Sequence, residues 1–240
     1  MRTRINFLAT SFCMMAFCLL ASPAMAQSTA PNSRPDVLPM ACEEDLALSA
    51  APVHLRPEAT VYALREDGYI KINAGTNGFS CIVNRDHPRV LKPTCFDAEG
   101  SATIIPKILH VGERLMQGMP VADINSEVKA GFESGKFVSP QRPGIAYMLS
   151  HYNRPYNPST DSLAWFPPHL MFYAPNLQNE DIGVSWAAIQ ADHRLPFIGY
   201  QGPHGYMISL VEHQNRPQEH PLPHCPAWVS EGPPALPHTH

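Results

Sequence analysis

The sequence predicts an α+β fold: a mostly antiparallel sheet with a helical pair and one further helix packed on one face, stapled by disulfides. Two observations predict it. Apolar residues recur at a strand period, then at a helical period, then at a strand period again, so strands flank a helical block. A parallel doubly wound sheet would instead alternate strand and helix. The second observation is an even number of cysteines downstream of a segment that reads as an export signal.

That signal occupies residues 1–26. It carries Arg2 and Arg4, an apolar stretch over 5–20 and the small pair Ala24 and Ala26, the spacing a signal peptidase cleaves. A membrane anchor needs about 20 apolar residues and no such cut site. The mature chain is expected to begin near Gln27, soluble, in the periplasm or outside the cell. Cleavage takes 26 of 240 residues and leaves 214, enough for one domain with its own core. It removes two of 17 basic residues and none of 21 acidic ones, giving a mature net charge of −6. No basic stripe stands out, so nucleic acid and anionic membrane surfaces are poor partners.

Cys13 and Cys18 leave with the signal, and Cys42, Cys81, Cys95 and Cys225 remain. Three connectivities are possible. Cys81–Cys95 is favoured because the pair is close in sequence across a turn-rich segment, a closure worth roughly 3 kcal/mol in the chain-entropy model. Cys42–Cys225 follows by elimination and clips the domain's entry to its C-terminal tail. The rival, a metal site using cysteine with His224, matches no zinc-ligand spacing.

Residues 27–41, rich in Pro, Ser and Asn, read as a disordered leader ahead of a single domain over 42–212. A short helix over 43–50 is stopped by Pro52. Residues 59–64 and 69–72 alternate around Glu66-Asp67-Gly68, a hairpin. A strand over 79–83 follows the Asn77-Gly78 turn. Ile104, Ile105, Ile108, Leu109, Gly112 and Leu115 then recur at helical spacing. Pro106 suits only a first turn, so this helix starts near Thr103. Asp123 reads as the N-cap of a second helix with Ile124, Val128 and Phe132 on its apolar stripe, completing a pair over 103–135. Strands over 145–149 and 169–173 are separated by a Pro- and Ser-containing loop and read as neighbours. A further helix over 180–191, a short strand over 197–200 and a strand over 206–211 complete the domain. The segments 145–149, 169–173 and 206–211 are expected as inner strands. Residues 213–240 read as an extended Pro- and His-rich tail.

Strong catalytic signatures are absent: no G-x-S-x-G elbow, P-loop, H-E-x-x-H, Rossmann fingerprint or Cys-x-x-Cys. Weaker constellations remain. His110 and Glu113 share a helical face, as metal ligands or, more simply, as a solvated ion pair. His169 opens an apolar strand beside a long loop, and His204 sits in a Gly-Pro-His-Gly turn. With Asp97 as orienter, these two make a candidate acid/base set; the plainer readings are a hydrogen-bonded structural His169 and an Asx-turn at Asp97. Tyr147, Tyr173, Tyr206 and Trp165 are candidate lining for an apolar pocket with polar handles, or simply core. His213, His220, His224, His238 and His240 cluster in the tail, where loose metal buffering is the functional reading.

Several stretches share a pattern: Ala47-Leu48-Ser49-Ala50-Ala51-Pro52, Gly75-Thr76-Asn77-Gly78-Phe79-Ser80-Cys81, Cys95-Phe96-Asp97, Tyr147-Met148-Leu149 and Pro168-His169-Leu170-Met171. Together they resemble a group of exported bacterial proteins with no assigned activity. The resemblance covers residues 46–211 and implies that this is the domain and that the tail is peripheral; it brings no catalytic residue. The function ranked first is an exported small-ligand-binding or accessory protein of the cell envelope, with an apolar or aromatic ligand and no cofactor. A hydrolase or isomerase using His169, His204 and Asp97 ranks second and metal buffering by the tail third, so whether the chain is an enzyme stays open.

Overall fold

The computed structural model describes residues 34–211 and 222–231. The expected signal peptide and most of the leader lie outside them, as do His213, His220, His238 and His240.

Helices and a mostly antiparallel eight-stranded sheet make the chain α+β. The strands are β1 Thr60–Arg65, β2 Gly68–Asn73, β3 Ser80–Asn84, β4 Lys92–Phe96, β5 Ile145–Met148, β8 His169–Tyr173, β9 Phe197–Tyr200 and β10 Tyr206–Leu210. Their order across the sheet is β2-β1-β3-β4-β5-β8-β10-β9. A small separate hairpin, β6 Tyr156–Asn157 with β7 Ser162–Leu163, occupies the loop before β8. Among the described residues only β1 and β3 pair in parallel, because the β1–β2 hairpin folds back and the chain re-enters on the other side of β1. The three segments expected as inner strands are β5, β8 and β10, all flanked on both sides, and β5 and β8 are neighbours.

Helices cover both faces of the sheet, which corrects the expectation of one. Helix α1, Met40–Ser49, packs on one face with Cys42, Leu46 and Ala47 against Val61, Val83 and the Cys81–Cys95 disulfide. The opposite face receives α3, Ile105–Met116, whose Ile105 and Ile108 meet Ile82 and Phe96. Gly112 lets α3 approach β2, since a Cβ there would stand 2.3 Å from the Tyr69 ring. Helix α4, Val121–Glu133, packs beside α3 through Ile124 against Val111 and Leu115.

The expected pair over 103–135 has one element more. Helix α2, Ala98–Thr103, precedes α3 and is capped by Asp97. Pro106 sits in the first turn of α3, as its missing N–H requires. Asp123 is not the N-cap of α4; the helix begins at Val121 after Pro120, and Asp123 lies in its first turn, where a negative charge favours the helix dipole. The single helix expected over 180–191 is a 3-10 turn, Glu180–Ile182, then a break, then α5, Trp186–Ala191, capped by Ser185.

Both pairings expected of the cysteines are present. Cys42–Cys225 holds residues 222–231 on the domain, so the tail is not extended throughout. In that strap Val229 is fully buried and short helix α6, Ala227–Glu231, follows the disulfide. Arg154 donates to the carbonyls of Trp228 and Val229. The N-terminal side is also ordered before residue 42: Leu38 is buried and its carbonyl accepts from Arg65. Helix α1 also contributes to a buried ion pair, Arg85 Nη2 to Glu43 Oε1 at 2.5 Å. Burial pushes the Glu43 carboxyl up, and the Arg85 charge offsets only part of this.

Candidate functional site

Side chains alternate faces along a strand, and the register decides which residues share a face. Tyr173 lies opposite Tyr206, and Met171 opposite Ile208, on the α3 side. Tyr147 lies opposite Cys95 and Leu170, and it packs with the α1-side core. Trp165 joins that same core, with its ring 5.9 Å from the Arg154 guanidinium. The four aromatics expected to line one pocket are therefore split, Tyr173 and Tyr206 on one face and Tyr147 and Trp165 on the other.

Tyr173 and Tyr206 line a cavity of about 650 Å³ between the α3 side of the sheet, α3, α4 and the β9–β10 loop. Its size falls within the range of small-molecule sites. The floor comes from alternate strand residues: Lys92, Thr94 and Phe96 on β4, Met148 on β5, Met171 and Tyr173 on β8. The roof is a helical stripe, Ile104 at the N-cap of α3 followed by Lys107, Ile108 and Val111 within it, at spacings of three and four. A parallel stripe of α4 includes Val128, Lys129, Phe132 and Glu133.

His204 closes one end of this cavity. Its ring stacks between Phe132, with centroids 4.9 Å apart, and Tyr200, at 4.5 Å. Burial, aided by the Lys107 charge, lowers its pKa to about 3. It is a neutral aromatic wall at physiological pH, poorly matched to accept a proton there.

His169 is not part of the lining. It is 2% exposed, its ring meets Phe166 edge-on, and its Nδ1 pairs with the Pro167 carbonyl at 2.8 Å. Burial lowers its pKa to about 4. Asp97 stands near the other end of β8. One carboxylate oxygen accepts from the Gly100 N–H at 2.9 Å and the Tyr173 hydroxyl at 2.8 Å; the other accepts from the Ile145 N–H at 2.8 Å. Gly100 leaves room for this junction, because a Cβ there would stand 2.1 Å from the Tyr173 hydroxyl oxygen. His169 and Tyr173 begin and end β8, four residues or roughly 13 Å apart at strand rise. The set of His169, His204 and Asp97 is thus not assembled: Asp97 ties β4, α2, β5 and β8 together, and His169 caps its own loop.

The charged groups in the cavity wall were not singled out from the sequence. Lys92 Nζ contacts the Asp86 carboxylate. Burial alone would raise the Asp86 pKa, but the Lys92 charge and hydrogen bond, the Lys107 charge and a backbone hydrogen bond together hold it below its ordinary value. Lys92 is raised in turn: burial alone would lower it, and the Asp86 charge and hydrogen bond together with Tyr206 outweigh that. Lys107 has no ion-pair or hydrogen-bond partner among the described residues. Burial lowers its pKa to about 8; Asp86 opposes the shift and Lys92 adds to it. A lysine three residues after Ile104 and one before Ile108, on an otherwise apolar stripe, was the available signal.

His110 and Glu113 do not pair with each other. His110 meets Glu127 of α4 at 2.9 Å, Glu127 also accepts from Arg114, and Glu113 accepts from Gln117. His110 thus links α3 to α4, while Glu113 bonds within the end of its own helix. In the strap, His224 pairs with Asp45 at 2.7 Å, beside a second cleft of about 540 Å³ that also holds Ser49 and Ser150. Among the described residues, no group of three or more His, Cys, Asp or Glu is placed to hold a metal ion, and no helix is long and apolar enough to cross a membrane. No protein-family model, curated protein or solved structure matches the chain.

Proposed function

We propose that this is an exported binding protein of the cell envelope that holds a small ligand with an apolar or aromatic body in the cavity between the sheet and α3–α4. The observation that carries the reading is the cavity itself. About 650 Å³ of space is lined by Phe96, Met148, Met171 and Ile108, with the Tyr206 hydroxyl and Lys107 as polar handles. Methionine walls suit such a role because they adapt to varied apolar shapes. Burial pushes the Tyr206 hydroxyl up, so it acts as a neutral hydrogen-bonding group. Export is supported by the signal-like residues 1–26 and by two disulfides, which persist in oxidising compartments. The resemblance to exported bacterial proteins agrees with this location and adds no activity.

The test is titration with the neutral, environment-sensitive dye N-phenyl-1-naphthylamine. Saturable, blue-shifted emission is expected from the wild type. Val128→Trp, which places an indole at the cavity wall on α4, should lose most of it while melting at a similar temperature. Absence of saturable binding, or equal binding by the filled variant, refutes the reading.

A further inference from the structure

We propose that the cavity selects a monocarboxylic acid, with the carboxylate on Lys107 and the apolar body along the methionine and aromatic floor. The inference rests on the cavity being a binding site and goes further by naming the head group.

It follows from the charges in the wall. Among the described residues, three lysines line the cavity against two carboxylates. Lys92 is committed to Asp86, and Lys129 lies 3.9 Å from Glu133, its i,i+4 neighbour at the exposed rim. Lys107 alone is left over. It projects from the apolar stripe of α3, between Ile104 and Ile108, into a space floored by Phe96, Met148 and Met171. A partly buried ammonium without a partner is costly in such a place, and a ligand that brings one negative charge removes the cost. The lowered pKa of Lys107 is the same penalty seen from the proton's side, and still leaves the group mostly charged at neutral pH. The charge on the ligand is limited to one. A second would fall near Asp86, whose carboxyl is held below its ordinary pKa by Lys92, by Lys107 and by a backbone hydrogen bond. A carboxylate therefore fits better than a phosphate monoester.

The experiment compares 11-(dansylamino)undecanoic acid with its methyl ester, which has the same body and no charge. Both are titrated by fluorescence into the full exported chain. The wild type is expected to bind the acid about tenfold or more tightly than the ester, a difference of about 1.4 kcal/mol. Lys107→Met should abolish that preference and leave ester affinity within about twofold, while Lys107→Arg should restore most of it. Lys71→Met, at an exposed position of edge strand β2 away from the cavity, should leave the preference intact. Dodecanoate should displace the dansyl acid more effectively than dodecyl phosphate. If acid and ester bind equally and Lys107→Met changes neither, the head-group assignment is overturned while the cavity stands. If dodecyl phosphate competes better than dodecanoate, the single-charge assignment is overturned. If neither dansyl probe binds, the cavity reading fails as well.

Discussion

Acid should unfold this protein in part through one buried imidazole. His169 is 2% exposed and has a folded pKa of about 4, against 6.5 in an open chain. Between those values the unfolded chain binds the proton and the folded chain does not, so stability falls as pH drops from 6.5 toward 4. Above 6.5 the imidazole is neutral in both states and contributes no pH dependence. The difference converts to roughly 3 kcal/mol, a large part of a typical domain's stability. His169→Asn isolates it, because the asparagine amide can replace the Nδ1–H donor to Pro167 but does not titrate. Urea unfolding at pH 7, 6, 5 and 4 measures the gap between wild type and variant. At pH 7 the variant should be weaker by ~1–3 kcal/mol, as for a trimmed core side chain. The gap should close on acidification and reverse near pH 4. His204, also lowered, is present in both proteins and cancels. Parallel stability curves would refute the reasoning, since they would mean that His169 takes up a proton in the folded state at little cost.

Glu43→Ala leaves the Arg85 guanidinium buried without its carboxylate and should cost ~3–5 kcal/mol, whereas Glu43→Leu with Arg85→Met should recover most of that in urea unfolding. Tyr173→Phe removes one of three donors to Asp97 and should cost ~1–2 kcal/mol, with Asp97→Ala costing more. Lys107→Met should be at least as stable as wild type at pH 7. Its advantage should shrink as pH rises from 8 toward 10.5, where the folded wild type sheds its proton before the unfolded chain does. Replacing Cys42 and Cys225 by Ala should expose residues 222–231 to limited proteolysis and cost up to about 5 kcal/mol in the chain-entropy model, given a separation of 183 residues.

Much of the frame was legible in the sequence because its signals were local. Glu66-Asp67-Gly68 names its own hairpin, and Cys81 and Cys95, one short turn apart, meet as directly opposed residues on β3 and β4. Strand β4 itself was missed. Pro93 argues against an inner strand, yet it is tolerated because β5 pairs with β4 only at Cys95 and Phe96. The strap was missed because Pro-rich residues around Cys225 read as extended tail, and only the disulfide with Cys42 brings Val229 into the core. The candidate site was the least legible part. Tyr147 and Tyr173 look alike in sequence, and only the β4–β5–β8 register sends them to opposite faces. Asp97 and His169 likewise carry the residue types of chemistry while spending their polar atoms on helix capping and loop closure. The strap also changes how the metal-buffering idea is tested. Deleting 213–240 would remove Cys225 along with the histidines, so substituting His213, His220, His238 and His240 is the cleaner experiment.

The most direct test of the cavity is NMR of protein labelled on its methionine methyl groups, recorded with and without 11-(dansylamino)undecanoic acid. Met148 and Met171 lie in the cavity floor, while Met40, 47% exposed on α1, stands clear of it. The expected result is a saturable shift of the Met148 and Met171 signals with Met40 unmoved. Ligand binding that shifts Met40 and leaves Met148 and Met171 in place would contradict it.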